Sequence, residues 1–249
     1  MTIRTSAFAI IALVFTFGLA SAAEATMTTD RTPEPALDAQ QQAIVTIAAF
    51  TASGDTNRLT PALSDGLDSG LTINEIKEIL VQLYAYTGFP RSLNALGAFM
   101  NLTQERKAKG ILDAEGKEAS PLPADMDRDA YGARVRADLA GQKDIPTTLA
   151  PYQEFTPIID TFLKEHLFAD IFARDVLTHQ QRELATIAAL ANMTGTEGQL
   201  FFHFGAAMNT GLTATQMHEF ISVLDAKVDK DQARSAQAVL AKVLAQRST

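Results

Sequence analysis

Apolar residues recur with a helical period along almost the whole chain after Leu37. In the segments AIVTIAAF, INEIKEILVQLYAY and RSLNALGAFMNL they are spaced three or four residues apart, which produces the apolar stripe of an amphipathic helix. No segment alternates apolar and polar residues between Asn-Gly or Asp-Gly turns, as hairpin strands do. The pattern therefore predicts an all-α protein.

The helical pattern occurs twice. The segment LDAQQQAIVTIAAF, from Leu37, aligns with LTHQQRELATIAAL, from Leu177, 140 residues later. With one residue added in the next turn, residues 65–80 align with residues 206–221 at a separation of 141. An internal repeat of this kind predicts two copies of one helical unit.

Both copies contain the tripeptide Gly-Leu-Thr, at 70–72 and at 211–213. Glycine is typical of the residue that ends a helix, and threonine is typical of the cap that begins the next one. Each repeat is therefore expected to contain a helix, a glycine-containing turn, a second helix, a glycine stop and a third helix.

The amino terminus has the pattern of a secretory signal peptide. Arg4 is followed by an apolar run from Ala7 to Ala20 and then by an A-x-A cleavage site. The run is short for a membrane span. We expect cleavage near Ala22 or Ala23, export to the periplasm or the medium, and no membrane association after cleavage.

Pro, Asp and Gly residues are frequent between the two repeats and predict an exposed linker. The chain thus divides into four predicted parts: a signal peptide at 1–23, the first repeat at 24–110, a linker with a short helix at 111–157, and the second repeat at 158–249.

Composition excludes several classes of function. The formal net charge is −8 and no basic cluster occurs, so a nucleic-acid partner is not expected. Cysteine is absent, which rules out disulfides, thiol nucleophiles and dithiol redox chemistry. The four histidines show no metal-binding spacing, and no metal site is predicted.

Glu183 and His203 are the candidate acid–base pair. The turn between their helices centres near Thr194 and Gly195, so the two residues lie at similar heights on an antiparallel hairpin. A carboxylate beside an imidazole in apolar surroundings suits general acid–base catalysis. The alternative is a helix acid and a core histidine with separate structural roles, and the spacing alone favours that alternative.

Other charged residues near the second repeat form a looser set. Asp170 and Arg174 are spaced as an i, i+4 ion pair, which is most often a surface salt bridge. Glu197, in the turn before His203, is either a group at the mouth of a pocket or a solvated loop acid.

The first repeat lacks the pair, because Ala43 and Ala62 occupy the positions of Glu183 and His203. It contains the segment YAYTGFPRSLNAL instead, which includes Tyr86 and Arg91. This segment predicts either a pocket wall with an anion-binding arginine or a helix break with a solvated arginine.

The segments FADIFARDVLTHQQRELATIAAL, the following histidine and AAMNTGLT resemble the carboxymuconolactone decarboxylase family, and EIKEILVQLYAYTGFPRSLNAL resembles that family's next segment. The resemblance implies an all-α fold shared with alkylhydroperoxidase-D-like proteins, normally oligomeric. It also implies decarboxylation of a small carboxylated lactone without a cofactor, and we expect either this reaction or proton-transfer chemistry on such a lactone. The peroxidase branch of that superfamily uses a Cys-x-x-Cys pair, but here those positions are Thr196 and Gln199.

Carried over by position, the resemblance makes His203 the proton donor or acid–base group and Glu183 the residue that orients or protonates it. Asp170 and Glu197 match acidic positions of the family, and Arg174 matches an arginine suited to clamp an anion. Tyr86 and Arg91 are further candidates for substrate binding, from the residues of the first repeat. The signal peptide and the missing histidine of the first repeat depart from the family pattern. A non-catalytic small-molecule-binding or assembly protein therefore remains the alternative function.

Overall fold

The computed structural model describes residues 36–248, and all regular structure in this range is helical. The predicted signal peptide lies outside the described residues. Within them, no helix is both long and apolar enough to cross a membrane.

The helices follow the two repeats. The first repeat contains α1 (Ala39–Ser53), α2 (Thr56–Asp68) and α3 (Ile73–Ala108). The connection contains α4 (Arg128–Leu139), α5 (Pro151–Phe155) and α6 (Pro157–Thr161), which continues as a π-helical segment (Phe162–Ile171). The second repeat contains α7 (His179–Ala191), α8 (Glu197–Asn209), α9 (Ala214–Val223) with a π-helical turn (Leu224–Val228), and α10 (Lys230–Arg247). The prediction of an all-α protein with two tandem helical repeats is confirmed.

The predicted helix stops and caps are also confirmed. Gly70 and Gly211 have φ values of +97° and +104°, in the left-handed region that favours glycine. The side chains of Thr72 and Thr213 each accept a hydrogen bond from the backbone N–H three residues later, and the side chain at that position accepts from the cap's own N–H. The shared tripeptide therefore ends one helix and begins the next in both repeats.

The two repeats share one hydrophobic core, because helices of each repeat pack against helices of the other. The first helices of the repeats, α1 and α7, pack against each other at the centre. The third helix of each repeat packs against the first helix of the other, α3 on α7 and α9 on α1. Every residue from Arg182 to Ala191 is buried, as expected of a helix with neighbours on all sides. Polar groups on α7 are therefore held inside the protein.

The third helix breaks at the same position in both repeats. Gly88 interrupts α3 with φ +78° and ψ 157°, and its counterpart Asp229 is extended between the π-helical turn and α10. Arg91 follows the break and is exposed. The helix break with an exposed arginine is observed, and Tyr84 and Phe89 of the same segment also line a pocket.

We predict opposite effects for two glycine substitutions in α3. The backbone of Gly88 lies in a region open almost only to glycine, so Gly88→Ala should lower the free energy of unfolding by about 1–3 kcal/mol. A Cβ added at Gly97 meets no atom within 4 Å, so Gly97→Ala should raise the free energy of unfolding by about 0.5–1 kcal/mol. Urea unfolding followed by circular dichroism measures both. A stabilised Gly88→Ala variant would contradict the conformation found at the break.

The connecting segment covers one side of the second repeat. The π-helical segment packs closely on α4, and a Cβ added at Gly132 would lie 1.9 Å from the backbone oxygen of Lys164. Their apolar side chains form a second cluster with Ala206 of α8, and Tyr84 and Tyr86 of α3 pack against its edge. This cluster lies beside the candidate site.

Candidate active site

Glu183 and His203 face each other across the α7–α8 hairpin. The imidazole Nδ1 lies 2.7 Å from the Glu183 carboxylate oxygen Oε2. Glu183 is fully buried and His203 is 6% exposed. The structure thus brings together the two residues that the sequence spacing places at the same height.

The carboxylate determines which imidazole nitrogen is free. An ionised carboxylate only accepts hydrogen bonds, so the tautomer of His203 that fits this contact with ionised Glu183 has its proton on Nδ1. Nε2 then has a lone pair and makes no hydrogen bond within residues 36–248. A carboxylate that holds one ring nitrogen in this way orients the other for proton transfer.

Two aromatic rings meet the imidazole edge-on. The ring centroid of Tyr86 lies 5.7 Å from that of His203, and that of Phe202 lies 5.1 Å away. Burial raises the pKa of the Tyr86 phenol, the charge of Glu183 raises it further, and Thr186 and Arg182 act in the opposite direction. Tyr86 is therefore a neutral O–H at physiological pH and is available as a donor.

Two polar atoms around His203 lack well-formed hydrogen bonds. The Tyr86 hydroxyl and Glu183 Oε1 are fully buried and make no hydrogen bond of normal geometry within the described part of the chain, although the Thr186 side chain lies close enough to act on the Tyr86 hydroxyl. Buried polar groups are seldom left unpaired, and those that are unpaired often belong to functional sites. The pair therefore lies among polar atoms that a substrate or water would satisfy.

A buried ion network lies beside the pair, at the start of α7. Arg182 is fully buried and donates to Glu78 at 2.8 Å and to Gln82 at 2.9 Å. Gln82 donates in turn to the Thr186 hydroxyl and the Arg182 carbonyl, both at 2.9 Å. Arg174 donates to both oxygens of the same Glu78 carboxylate. The network fixes α3 of the first repeat against α7 of the second and so sets where Tyr86 lies.

The predicted ion pair between Asp170 and Arg174 is wrong. Asp170 accepts hydrogen bonds from Arg128 at 2.7 Å and contacts His166 at 3.1 Å, whereas Arg174 pairs with Glu78. The helix ends at Ile171, so Arg174 is not on the helical face that the i, i+4 rule assumes. Asp170 therefore pairs with another residue of the connecting segment, at the protein surface.

Glu197 and Arg91 are not joined to the pair. Glu197 is exposed in the first turn of α8 and lines a depression with Met193 and Gln232. Arg91 lies beside Gly54 at the end of α1. Among residues 36–248, neither side chain makes a hydrogen bond or ion pair with Glu183, His203 or Tyr86. No group of three or more His, Asp or Glu side chains in this range is arranged to hold a metal ion.

Sequence reasoning missed the Arg182–Glu78 network. The signal that could have revealed it is the run LATIAALA after Glu183, which is apolar on every side of the helix. A helix of that composition is surrounded by protein, so the charged residues at its start are buried and need partners. The identity of Glu78 as the partner depends on the crossed packing of the repeats, which no local pattern shows.

Comparison with known proteins agrees with this architecture. Residues 18–100 and 159–242, more than half of the chain, match the carboxymuconolactone decarboxylase family. A 4-carboxymuconolactone decarboxylase from Acinetobacter baylyi (strain ATCC 33305 / BD413 / ADP1) is 29% identical over 97 residues, which cover 39% of this chain and 72% of that relative. The match occurs once for each helical repeat. The chain therefore belongs to the carboxymuconolactone decarboxylase family and contains two tandem copies of its repeat.

Proposed function

We propose that the protein decarboxylates a small carboxylated lactone, or moves a proton on one, at the Glu183–His203 pair and without a cofactor. The observation that carries the proposal is the buried 2.7 Å hydrogen bond between these residues, inside a repeat that matches a decarboxylase family. The similar protein from Acinetobacter baylyi is named a 4-carboxymuconolactone decarboxylase, which makes that lactone the first substrate to test.

The reaction requires one proton. The bond between the ring carbon and the carboxylate breaks, CO₂ leaves, and the electron pair is delocalised into the lactone. One proton then joins the carbanion, and solvent returns that proton to the enzyme. An imidazole held by a carboxylate is suited to deliver and recover it.

Tyr86 and Arg174 are the proposed groups for substrate contact. Tyr86 has a neutral hydroxyl next to His203, which suits hydrogen bonding to a lactone oxygen that gains negative charge. Nε and Nη2 of Arg174 donate hydrogen bonds to Glu78, whereas Nη1 has no partner within residues 36–248. Its side chain is 39% exposed, in a depression lined by Phe172 and His179 and not by His203, and in this proposal it attracts the substrate carboxylate. In this proposal, Asp170, Glu197 and Arg91 take no part in the chemistry.

Export and self-association are further parts of the proposal. The signal-peptide pattern at residues 1–23 supports a periplasmic or secreted protein. Large exposed aromatic side chains support a homo-oligomer, among them Phe89 at 61%, Phe155 at 90% and Phe162 at 58% exposure. Native mass spectrometry of the exported protein would report both properties; an uncleaved monomer would contradict both.

The experiment that tests the function is a turnover assay on the purified protein. Loss of 4-carboxymuconolactone is followed in the ultraviolet and released CO₂ is measured in parallel, with muconolactone, which has no carboxylate to lose from the ring, as control. We expect equal amounts of lactone consumed and CO₂ released, at least about 10⁶-fold faster than without enzyme. Consumption without CO₂ would leave proton transfer as the function.

The alternative is a protein that binds a small molecule without converting it. The first repeat favours this alternative, because it retains the fold with Ala43 and Ala62 in place of the glutamate and histidine. A binder would retain affinity for the lactone and show no turnover, in wild type and in His203→Ala alike. That result would replace the decarboxylase proposal.

A further inference from the structure

A cavity of about 630 Å³ lies in the first repeat, where that repeat has lost its acid–base pair. Ala43 and Ala62 line it, and they are the counterparts of Glu183 and His203. Two methyl groups replace a carboxylate and an imidazole, which leaves open space at this position. The volume is in the range of cavities that bind small molecules.

Two cations from different repeats line the cavity. Lys227, the counterpart of Tyr86, places Nζ 3.0 Å from the Gln42 side-chain oxygen. Nη2 of Arg58 donates hydrogen bonds to the carbonyl oxygens of Lys227 and Val228. The guanidinium of Arg58 lies 4.4 Å from the ring centroid of Phe50. Within residues 36–248, neither cation has a salt bridge to a carboxylate. Both have N–H groups available to an anion.

Three acidic residues, Asp225, Asp229 and Asp231, line a neighbouring depression together with Arg58, but within residues 36–248 none of them forms a salt bridge with Arg58 or Lys227. Asp229 follows the turn that carries Lys227 and accepts hydrogen bonds from the backbone N–H groups of Asp231 and Gln232. Asp65 is the acidic residue among the side chains that line the cavity, against Arg58 and Lys227. A lining with two cations and one anion favours a monoanionic ligand over a dianionic phosphate.

The remaining walls are largely apolar. Pro61 and the two alanines form an apolar wall beside Phe50, whose ring is covered by the Arg58 guanidinium, and Gln42, Thr46, Asn57 and Ser69 complete the lining. Asp65 is the counterpart of Ala206 in the second repeat, so an acceptor for a ligand hydroxyl is present only on the first-repeat side. Two cations, an apolar wall and one carboxylate acceptor are groups that suit a hydroxylated aromatic carboxylate.

We propose that this cavity binds a small aromatic carboxylate, with its carboxylate on Lys227 and Arg58, its ring against Pro61 and its hydroxyl near Asp65. The ligand is bound and not converted, because the histidine and glutamate of the second repeat are absent here. The site is independent of any activity at His203.

The test is a titration of the full protein, labelled at its alanine methyl groups, with 4-hydroxybenzoate and with its neutral analogue 4-hydroxybenzamide. We expect saturable shifts of the Ala62 methyl signal with a Kd below about 1 mM for the acid, and at least about tenfold weaker binding of the amide. The Ala206 methyl in the second repeat should not move. No saturable shift at Ala62, or equal affinity for the two compounds, would overturn the proposal.

Substitutions at Lys227 test whether its positive charge binds the ligand carboxylate. Lys227→Gln should weaken binding of 4-hydroxybenzoate at least about fivefold, whereas Lys227→Arg should retain it, because only the charge is removed in the first variant. His203→Gln should bind as wild type does. Binding that survives Lys227→Gln and disappears in His203→Gln would place the ligand in the second repeat and overturn the proposal.

Discussion

Replacing His203 by glutamine is expected to lower kcat/KM for the lactone by about 10²–10⁴-fold. Glutamine retains similar size and can still hydrogen-bond to Glu183, but it does not exchange a proton near neutral pH. The loss should therefore appear mainly in kcat, since the variant removes proton transfer and leaves the walls of the site in place. Steady-state kinetics on 4-carboxymuconolactone, followed in the ultraviolet, measures it.

The matched control is His218→Gln. His218 is an exposed histidine on α9 of the same repeat, and its side chain is not part of the Glu183–His203 site. Its activity should stay within about twofold of wild type, as expected of a surface substitution. Circular dichroism checks that both variants fold. A folded His203→Gln variant with the activity of its control would remove His203 from the mechanism.

The largest loss of stability is expected from Glu78→Gln. Glu78 is buried and is the carboxylate that pairs with Arg182, whose side chain is fully buried. Glutamine fills the same volume but leaves the Arg182 charge without a carboxylate, and breaking a buried pair in this way costs about 3–5 kcal/mol. The midpoint and slope of urea unfolding give the free-energy change.

The control for this prediction is Glu115→Gln, which makes the same chemical change in an exposed pair. Glu115 bonds Lys77 at 3.0 Å, with side-chain exposures of 66% and 49%. Its loss should cost less than about 1 kcal/mol, because solvent screens the pair. Similar losses in the two variants would show that the buried charge on Arg182 is satisfied by other groups.

The architecture could be predicted because its signals are local or repeated. The Gly-Leu-Thr steps act within four residues, and Gly70 and Thr72 adopt the backbone conformation and the cap that the sequence indicates. Glu183 and His203 lie on one hairpin, so their approach follows from residue counting and helix rise. Both inferences depend on helices whose ends are clearly marked.

The errors and omissions arise where a partner is distant in sequence or a helix ends without a signal. Asp170 and Arg174 have the spacing of a pair, but the π-helical segment ends between them. Glu78 and Arg182 are 104 residues apart and meet only because the third helix of one repeat packs on the first helix of the other. The composition of α7 implies that this helix is buried. It does not identify Glu78 as the partner of Arg182.

The central claim is that Glu183 and His203 act as one acid–base unit, and a double-mutant cycle tests it most directly. The measurement is kcat/KM on 4-carboxymuconolactone for wild type, Glu183→Gln, His203→Gln and the double variant. Residues that act as a unit are strongly non-additive, so the double variant should be no slower than the slower single variant. Losses that multiply in the double variant would contradict the claim and would give the 2.7 Å contact a structural role alone.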